Sequence, residues 1–250
     1  MATISLCMIV KNESAVLARC LDSIADLMDE IIIVDTGSTD NTKEIAAQYT
    51  SRIYDFKWAS DFSAARNFSF SKATMEYIYT ADADEILDDA NRERFLRLKD
   101  ALLPEIEIVQ MKYVTQGTFD TVLNAKKEYR PKLFRRLRTF TWIDPIHETV
   151  RLTPVTFDSD VEILHCPQSL HSKRDFSIFI KAFEHDGQFS PKIRTMYAKE
   201  LLKTGDKKDF TDAKPIFQLI FDNDPADDAR KEAACVLARI YRMEDNKDEF

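Results

Sequence analysis

Tyr77-Ile78-Tyr79-Thr80-Ala81-Asp82-Ala83-Asp84-Glu85 begins as an alternating β-type run and ends in closely spaced acids. Tyr and Ile suit a packed, extended backbone, and the acids bring that run to a stop. In extended chain, residues i and i+2 face the same way. Asp82 and Asp84 are therefore expected to converge on one object at a strand's carboxyl end. In an open α/β sheet, that end is where ligands bind. Carboxylates brought together repel, so their natural partner is a hard divalent cation, Mn²⁺ or Mg²⁺, carrying phosphate oxygens. The competing reading is an acidic turn with solvated charges, because Asp is common in turns.

Upstream, the pattern supplies the sheet that this stretch needs. Ile4–Val10 (ISLCMIV) is a continuous apolar run of the kind a buried parallel strand shows. After Lys11-Asn12-Glu13-Ser14, the residues Val16, Leu17, Cys20, Leu21 and Ile24 recur at helical spacing. Glu30–Asp35 (EIIIVD) reads as a second buried strand ending in an acid before the turn Thr36-Gly37-Ser38-Thr39. Asp40 or Thr39 is expected to cap a helix running to Tyr49. Arg52–Phe56 reads as a third strand, Phe62–Ala73 as a helix, and Tyr77–Ala81 as the fourth strand. Strands alternating with helices at this interval predict a mostly parallel, doubly wound sheet.

Beyond a helix around Arg92–Leu102 the pattern changes. Ile106–Val114, Tyr129–Phe134, Thr139–Trp142, Glu148–Leu152 and Val161–His165 are short runs parted by polar turns, expected to extend or cover the sheet, partly antiparallel. From Asp175 on, helical patterning dominates in Phe176–Phe183, Ile193–Lys203, Phe210–Phe221 and Arg230–Tyr241. A domain boundary is expected near Ser172, with a catalytic domain over 1–172 and a helical region over 173–250. Tyr197, Ala213-x-x-x-Phe217 and Pro225 follow tetratricopeptide-like spacing. So short an array buries little alone. It is expected to pack on the catalytic domain or to be the front part of a longer array.

Composition narrows the function classes. The 250 residues are 44% apolar and 31% charged, which is ordinary for a globular chain. A net charge of −8 argues against a general nucleic-acid or anionic-membrane binder. No run approaches the roughly 18 apolar residues of a membrane span, and the start lacks a signal peptide's basic and long apolar regions. The expected location is cytoplasmic, free or at the cytoplasmic face of a membrane. Cys7, Cys20, Cys166 and Cys235 form no CxxC pair, which fits reduced thiols better than disulfides or a zinc site. With only four glycines, the chain has neither GxGxxG nor a P-loop, so any nucleotide must be held another way.

Asp35 ends strand two as Asp82 and Asp84 end strand four, and in a doubly wound sheet those ends face one crevice. A carboxylate there suits the imide N–H or the ribose hydroxyls of a nucleoside; a helix cap or turn acid is the plain alternative.

Together, SLCMIVKNES, LARCLDSI, DEIIIVDTGSTDNTKEIA, FKWASDFSAARNFSFSKA and YIYTADADE resemble the family 2 glycosyltransferases with the GT-A fold. The likeness is greatest to the bacterial branch with tetratricopeptide-like helices after the catalytic domain. It covers residues 3–90 most fully, 128–172 less so and the tail loosely. The fold it implies is α/β, a Rossmann-like, mostly parallel mixed sheet followed by a small α-helical region. The activity it implies is inverting transfer of a sugar from a nucleoside-diphosphate donor, with UDP the family's commonest carrier. Asp35 would contact nucleobase or ribose, with backbone near Ile9 and Glu13 beside the base. Asp82 and Asp84 match the family's DxD, in which the second Asp holds Mn²⁺ or Mg²⁺ and the first reaches ribose or metal. Many relatives read VDDGS where this chain has Val34-Asp35-Thr36-Gly37-Ser38, which leaves base selectivity open.

The remaining candidates follow from residue chemistry beside that likeness. Arg66 carries a planar fork suited to a diphosphate; its plain alternative is a surface helix arginine. In Trp142-Ile143-Asp144-Pro145-Ile146-His147-Glu148, similar to an HE pair of the relatives, Glu148 or else His147 is expected to take the acceptor's proton. His165 ends the strand Val161–Leu164, where some GT-A enzymes complete the metal's coordination; a structural role is the alternative. His171 is a weaker candidate, and His185 reads as surface. The basic run Lys126–Arg138 is expected to neutralise diphosphate, line the acceptor groove or form a solvated face. The expected partners are a nucleotide-sugar donor and a carbohydrate, lipid-linked or peptide acceptor. The tail would recruit a protein or pair two copies, and no nucleic acid is expected. A nucleotidyltransferase should carry a glycine- and basic-rich triphosphate loop early on, which KNESAV is not. A binding-only scaffold should have lost the acids, yet Asp35, Asp82, Asp84 and Glu148 are all present.

Overall fold

The computed structural model describes residues 1–115, 127–136, 142–143, 145–146, 148–150, 155–166 and 172–244. The order is β1 (Ile4–Val10), α1 (Leu17–Ile24), β2 (Glu30–Asp35), α2 (Thr42–Ala46), β3 (Ile53–Asp55), α3 (Phe62–Phe70) and β4 (Tyr77–Ala81). Then come β5 (Glu85–Ile86), α4 (Asp89–Ala101), β6 (Ile108–Thr115), β7 (Lys127–Arg135), β8 (Trp142–Ile143), β9 (Thr149–Val150) and β10 (Thr156–His165). Helices α5 (Ser172–Asp186), α6 (Pro191–Thr204), α7 (Lys207–Asn223) and α8 (Asp227–Met243) follow. No helix among the described residues is long and apolar enough to cross a membrane.

Eight strands form one mixed sheet in the order β3-β2-β1-β4-β7-β6-β10-β5. The half β3-β2-β1-β4 is parallel throughout. In the other half β7 runs antiparallel to β4 and β6, β10 is parallel to β6, and β5 is antiparallel to β10. Side chains alternate across the sheet. Ile4, Leu6, Met8 and Val10 of β1 enter one core with Leu17, Leu21, Tyr79, Phe95 and Met111. Cys7 enters the opposite core with Ile32, Val34, Phe70, Phe134 and Trp142. Each Leu, Ile or Phe so buried contributes about 1.5–3 kcal/mol, which holds both faces covered as parallel strands require.

The sheet curls, and the chain length between β4 and β5 shows why. Ala81 and Glu85 are joined by a link reaching at most about 14 Å, whereas the four strand spacings between β4 and β5 in a flat sheet come to about 19 Å. The far edge must therefore bend back towards β4, and the acids of the link sit inside the bend. Asp82–Glu85 is accordingly a turn, closed by the Glu85 N–H donating to the Asp82 carbonyl at 3.1 Å. The extended geometry expected for Asp82 and Asp84 stops where the chain has to reverse, at Ala81.

Two local expectations change as well. Helix α2 begins at Thr42 behind Asn41 and ends at Ala46, with no side-chain cap. Asp40 instead accepts from Thr42 N (3.1 Å) and Oγ1 (2.5 Å) and from Ser14 N (3.2 Å), tying two loops together. Strand β5 has no signature of its own; two residues following an acidic turn become a strand only because the edge of β10 is there to pair with.

By its internal contacts the chain divides into two units, Met1–Ile143 with Glu148–Ser169 and Asp144–His147 with Leu170–Phe250. In the second, Ser190 caps α6, whose first residue is Pro191, and Asp206 and Asp209 form a capping box on α7. Tyr197 of α6 stacks on Phe179 at 4.7 Å between ring centroids and tilts against Phe217 at 5.4 Å. α7 packs on α8, α6 on α5 and α8.

Candidate active site

The carboxyl ends of β1 and β2 make the first wall of the site. Asp35 is 1% exposed. Its Oδ1 accepts from Gly37 N and Ser38 N, each at 2.9 Å, an Asx-type turn that satisfies the plain reading of a turn acid. Its Oδ2 is buried with no hydrogen-bond partner among the described residues. Buried polar atoms are nearly always paired, so Oδ2 is an acceptor whose donor is not among the described residues. Gly37 makes the turn because its φ is +104°, the left-handed region that side chains rarely adopt. Lys43 Nζ stands 4.0 Å from Asp35 Oδ1.

The loop after β1 is stitched to the loop after β2. Asn12, at φ +56°, accepts from Thr39 N at 2.8 Å through Oδ1, while its own N–H donates to Ser38 Oγ at 2.9 Å. Glu13 N donates to Thr42 Oγ1 at 2.8 Å. Ile9 pairs with Val34 one residue before this edge, so Ile9, Glu13 and Asp35 share one end of the sheet.

The turn between β4 and β5 makes the second wall. Asp84 Oδ2 lies 3.0 Å from His165 Nε2, with side chains 18% and 15% exposed. His165 Nδ1 is buried with no partner among the described residues, and the ring lies 5.0 Å from that of Tyr113. Among the described residues no three His, Cys, Asp or Glu side chains gather as a metal cluster. Of the expected set Asp82, Asp84 and His165, the described contacts join Asp84 to His165, while Asp82 Oδ1 stands 3.9 Å from Arg66 Nη2. The carboxylate oxygen suits Mn²⁺ or Mg²⁺ when substrate phosphates and water supply further ligands, whereas the imidazole nitrogen is a softer donor that hard Mg²⁺ takes less readily.

Asp82 faces the basic side chains. Its side chain is 53% exposed and its Oδ1 is 3.9 Å from Arg66 Nη2. Desolvation pushes its carboxyl up, but Lys132, Arg66, Arg130 and His165 outweigh this and hold it below the ordinary value. Glu85, the next acid, goes the other way. It is 2% exposed, and burial pushes its carboxyl up to about 7 despite Lys132 Nζ at 2.5 Å. Beneath the turn, the Cys20 thiol donates to the Asp82 carbonyl at 3.5 Å, and burial first, then the neighbouring acids, raise it well above the usual thiol value.

Arg66 is not a surface arginine. Its Nε and Nη2 donate to Glu148 Oε1 at 2.8 and 2.5 Å, and its guanidinium lies 4.8 Å from the Trp142 ring centroid. Burial lowers its proton affinity, and the charges of Glu148 and Asp82 more than restore it. Asn67, the next residue, exchanges hydrogen bonds with the Trp142 backbone at 2.9 and 3.1 Å. Helix α3 thus holds Trp142 and Glu148, residues far along the chain, against the acid turn.

Asp35, Ile9 and Glu13 thus share one edge; Asp82, Asp84, His165, Arg66 and Glu148 share one surface of the curl. His147 and His171 lie outside the described residues, as do Lys126 and Arg138 of the basic run. His185 is exposed and meets its neighbour Asp186 at 2.6 Å. Within the basic run, Lys132 is buried against Glu85, and Arg130 pairs with Glu128 and stacks at 3.7 Å on Tyr113. Neither is a solvated face. Tyr113 was not among the expected site residues, and Lys132 entered only as one of the basic run; the period-two pattern of Tyr129–Phe134 was the signal that one of its basic residues points inward.

The profile of Glycosyl transferase family 2 matches residues 5–153, more than half the chain. A TPR repeat-containing protein of Synechococcus elongatus is 49% identical over 87 residues, 35% of this chain and 22% of that protein. The SPbeta prophage-derived glycosyltransferase SunS of Bacillus subtilis is 33% identical over 132 residues, 51% of this chain and 31% of SunS. The chain therefore spans less than a third of the length of these two relatives. Among solved structures, glucosyl-3-phosphoglycerate synthase from Mycobacterium tuberculosis superposes with a TM-score of 0.54 at 18% identity, covering 76% of this chain and 82% of that one. At that identity the likeness shows the shared GT-A fold. That enzyme was crystallised with Mn²⁺, uridine-diphosphate-glucose and phosphoglyceric acid.

Proposed function

The chain belongs to glycosyl transferase family 2, and from that premise we propose that it moves a sugar from a nucleoside-diphosphate donor, first of all a UDP-sugar, to an acceptor hydroxyl with inversion. The observation that carries this reading is Asp35. A buried carboxylate oxygen is left unpaired at the same carboxyl edge as an acid turn whose Asp84 meets His165 at 3.0 Å. One end suits a nucleoside and the other a diphosphate.

Asp35 Oδ2 accepts the imide N–H of the base or a ribose hydroxyl, and the stitched loops after β1 and β2 hold it rigid. Asp84 and His165 would hold Mn²⁺ or Mg²⁺, which offsets the charge that grows on the departing diphosphate. Asp82, beside Arg66, is placed for the ribose side of the donor. Arg66 keeps Glu148 in place through Oε1. Oε2 takes the proton of the acceptor hydroxyl as its oxygen bonds the anomeric carbon and the sugar–phosphate bond breaks on the opposite side. His147 is the alternative base. The helical region is assigned to acceptor recruitment or to pairing of copies.

The test is a thermal-shift screen of nucleoside diphosphates and nucleotide sugars with and without Mn²⁺. UDP or a UDP-sugar is expected to stabilise the protein only with the metal present; a binder at a hundred times its Kd adds about 2.7 kcal/mol. A protein indifferent to every nucleotide under both conditions would rule the reading out.

A further inference from the structure

Glu85 and Lys132 are two buried charges with no part in the chemistry above. Glu85 opens β5, the far edge of the sheet, immediately after Asp84. Lys132 lies on β7, next to β4. The two strands are separated by β6 and β10 in the sheet order, yet Lys132 Nζ meets Glu85 Oε1 at 2.5 Å, with side chains 7% and 2% exposed. The pair spans the inside of the curl.

We propose that this ion pair is a strut that sets the Asp82-Ala83-Asp84 turn, making Lys132 and Glu85 positioning residues for the donor site. Three observations support it independently of any titration. First, the turn is anchored at its start by β4 and at its end by Glu85; β5 is only two residues long and pairs with β10 only through Leu164↔Ile86 and His165↔Glu85. So short a ladder fixes little by itself. Second, the register that sets Glu85 opposite His165 also sets Asp84 against the His165 ring, through Cys166 N donating to the Asp84 carbonyl at 3.0 Å. A shift of Glu85 therefore moves both members of the Asp84–His165 pair relative to each other. Third, Lys132 is held from its other side: its Nζ lies 5.4 Å from the Tyr113 centroid, and Tyr113 is packed between the Arg130 guanidinium at 3.7 Å and the His165 ring at 5.0 Å. The strut and the histidine lean on one aromatic ring. Two buried charges cost desolvation that a well-packed apolar pair avoids, so their presence under the turn fits geometry setting better than stability.

The inference rests on the donor reading, and the experiment separates the two. Lys132→Met, Glu85→Gln and the double variant Lys132→Met/Glu85→Gln are compared with wild type and with Lys132→Arg. The double variant leaves no lone buried charge if a single one misfolds. Hydrogen exchange is followed at the amides of 82–87 and 164–166, with the β1 and β2 amides as internal control, and Mn²⁺·UDP is titrated calorimetrically. The expected result is faster exchange at 82–87, unchanged exchange in β1 and β2, and Mn²⁺·UDP affinity lower by about 10- to 100-fold, the usual effect of disturbing groups behind a metal ligand. Lys132→Arg should recover part of that loss. Unchanged exchange in the turn overturns the strut. Faster exchange with unchanged Mn²⁺·UDP affinity makes the pair merely structural and overturns the positioning role. A wild type that binds no Mn²⁺·UDP takes down the donor reading and the positioning role together, whereas wild-type binding alongside equally tight variants takes down the strut alone.

Discussion

In the parallel half of the sheet the buried carboxylate Asp35 is held by the amides of Gly37 and Ser38 in its own turn. In the mixed half the buried carboxylate Glu85 is held by Lys132, 47 residues away along the chain. Each has one oxygen without a partner among the described residues. The first arrangement is local and made of backbone, so it exists as soon as β2 and its turn form. The second exists only once β4, β7, β6, β10 and β5 have curled together. The difference separates the end proposed for the nucleoside, which a short segment can specify, from the end proposed for the diphosphate, which needs the whole sheet.

Substitutions around the acid turn, at Asp84 and at the Glu148 that Arg66 holds beside it, should have the largest effects on turnover. Glu148→Gln is expected to keep donor affinity and to lower transfer by roughly 10²- to 10⁴-fold, the range of a lost general base. Single-turnover rates together with UDP-sugar titration check this. Lost donor affinity with surviving chemistry would move the base to His147. Asp84→Ala should lower metal-dependent turnover by on the order of 10²-fold or more while the circular dichroism spectrum stays unchanged. Full activity in that variant would remove Asp84 from the metal site.

At the parallel half the effect should fall on binding. In Asp35→Asn the amide oxygen can still accept from Gly37 and Ser38, but an NH₂ group faces the ligand where Oδ2 was. One lost hydrogen bond to a buried, charged acceptor costs about 1.5–3 kcal/mol, so UDP affinity should fall by roughly 10- to 100-fold with the melting temperature little changed. A large drop in melting temperature would instead mark Asp35 as a turn acid only.

The smallest expected effect is a pH dependence of the loop clasp. Desolvation pushes the Asp40 carboxyl up, yet hydrogen bonds from Ser14 and Thr42 hold it at about 2, against 3.8 ordinarily. A carboxyl lowered in the folded state adds stability above its unfolded value, and that stability goes as pH falls through the folded value. Melting temperature should therefore decline between pH 3.8 and about 2, and Asp40→Ala should flatten part of that decline. Parallel curves for the two proteins would show that the clasp contributes nothing.

Much of this division was legible beforehand. β1, β2, β4 and the four tail helices follow from apolar runs and helical spacing, and each helix extends the expected core to its caps, as with Ser190 and Asp206. Asp35 was placed at a strand end by the run Ile31–Val34 alone. Asp40 was misassigned as a helix cap because an acid before a helix has two nearby uses, and the neighbouring β1 loop offered Ser14 N as the competing donor. The basic run was expected to meet diphosphate, line the acceptor groove or face solvent; Lys132 is instead buried against the carboxylate of Glu85.

By itself the sequence determined most of the strands and helices, though not β5 or the end of α2, and the acids that end β2 and follow β4. Those are properties of residue type and spacing, read within a few residues. Only the tertiary structure decided that the acid after β4 is a turn, that Arg66 meets Glu148, that Asp84 meets His165 and that Glu85 meets Lys132. These depend on strand order, and strand order is set by which edges and faces bury each other across the whole sheet. The Asp82-Ala83-Asp84 turn belongs to both: its acids are read from the sequence, and the curl decides which partners they meet.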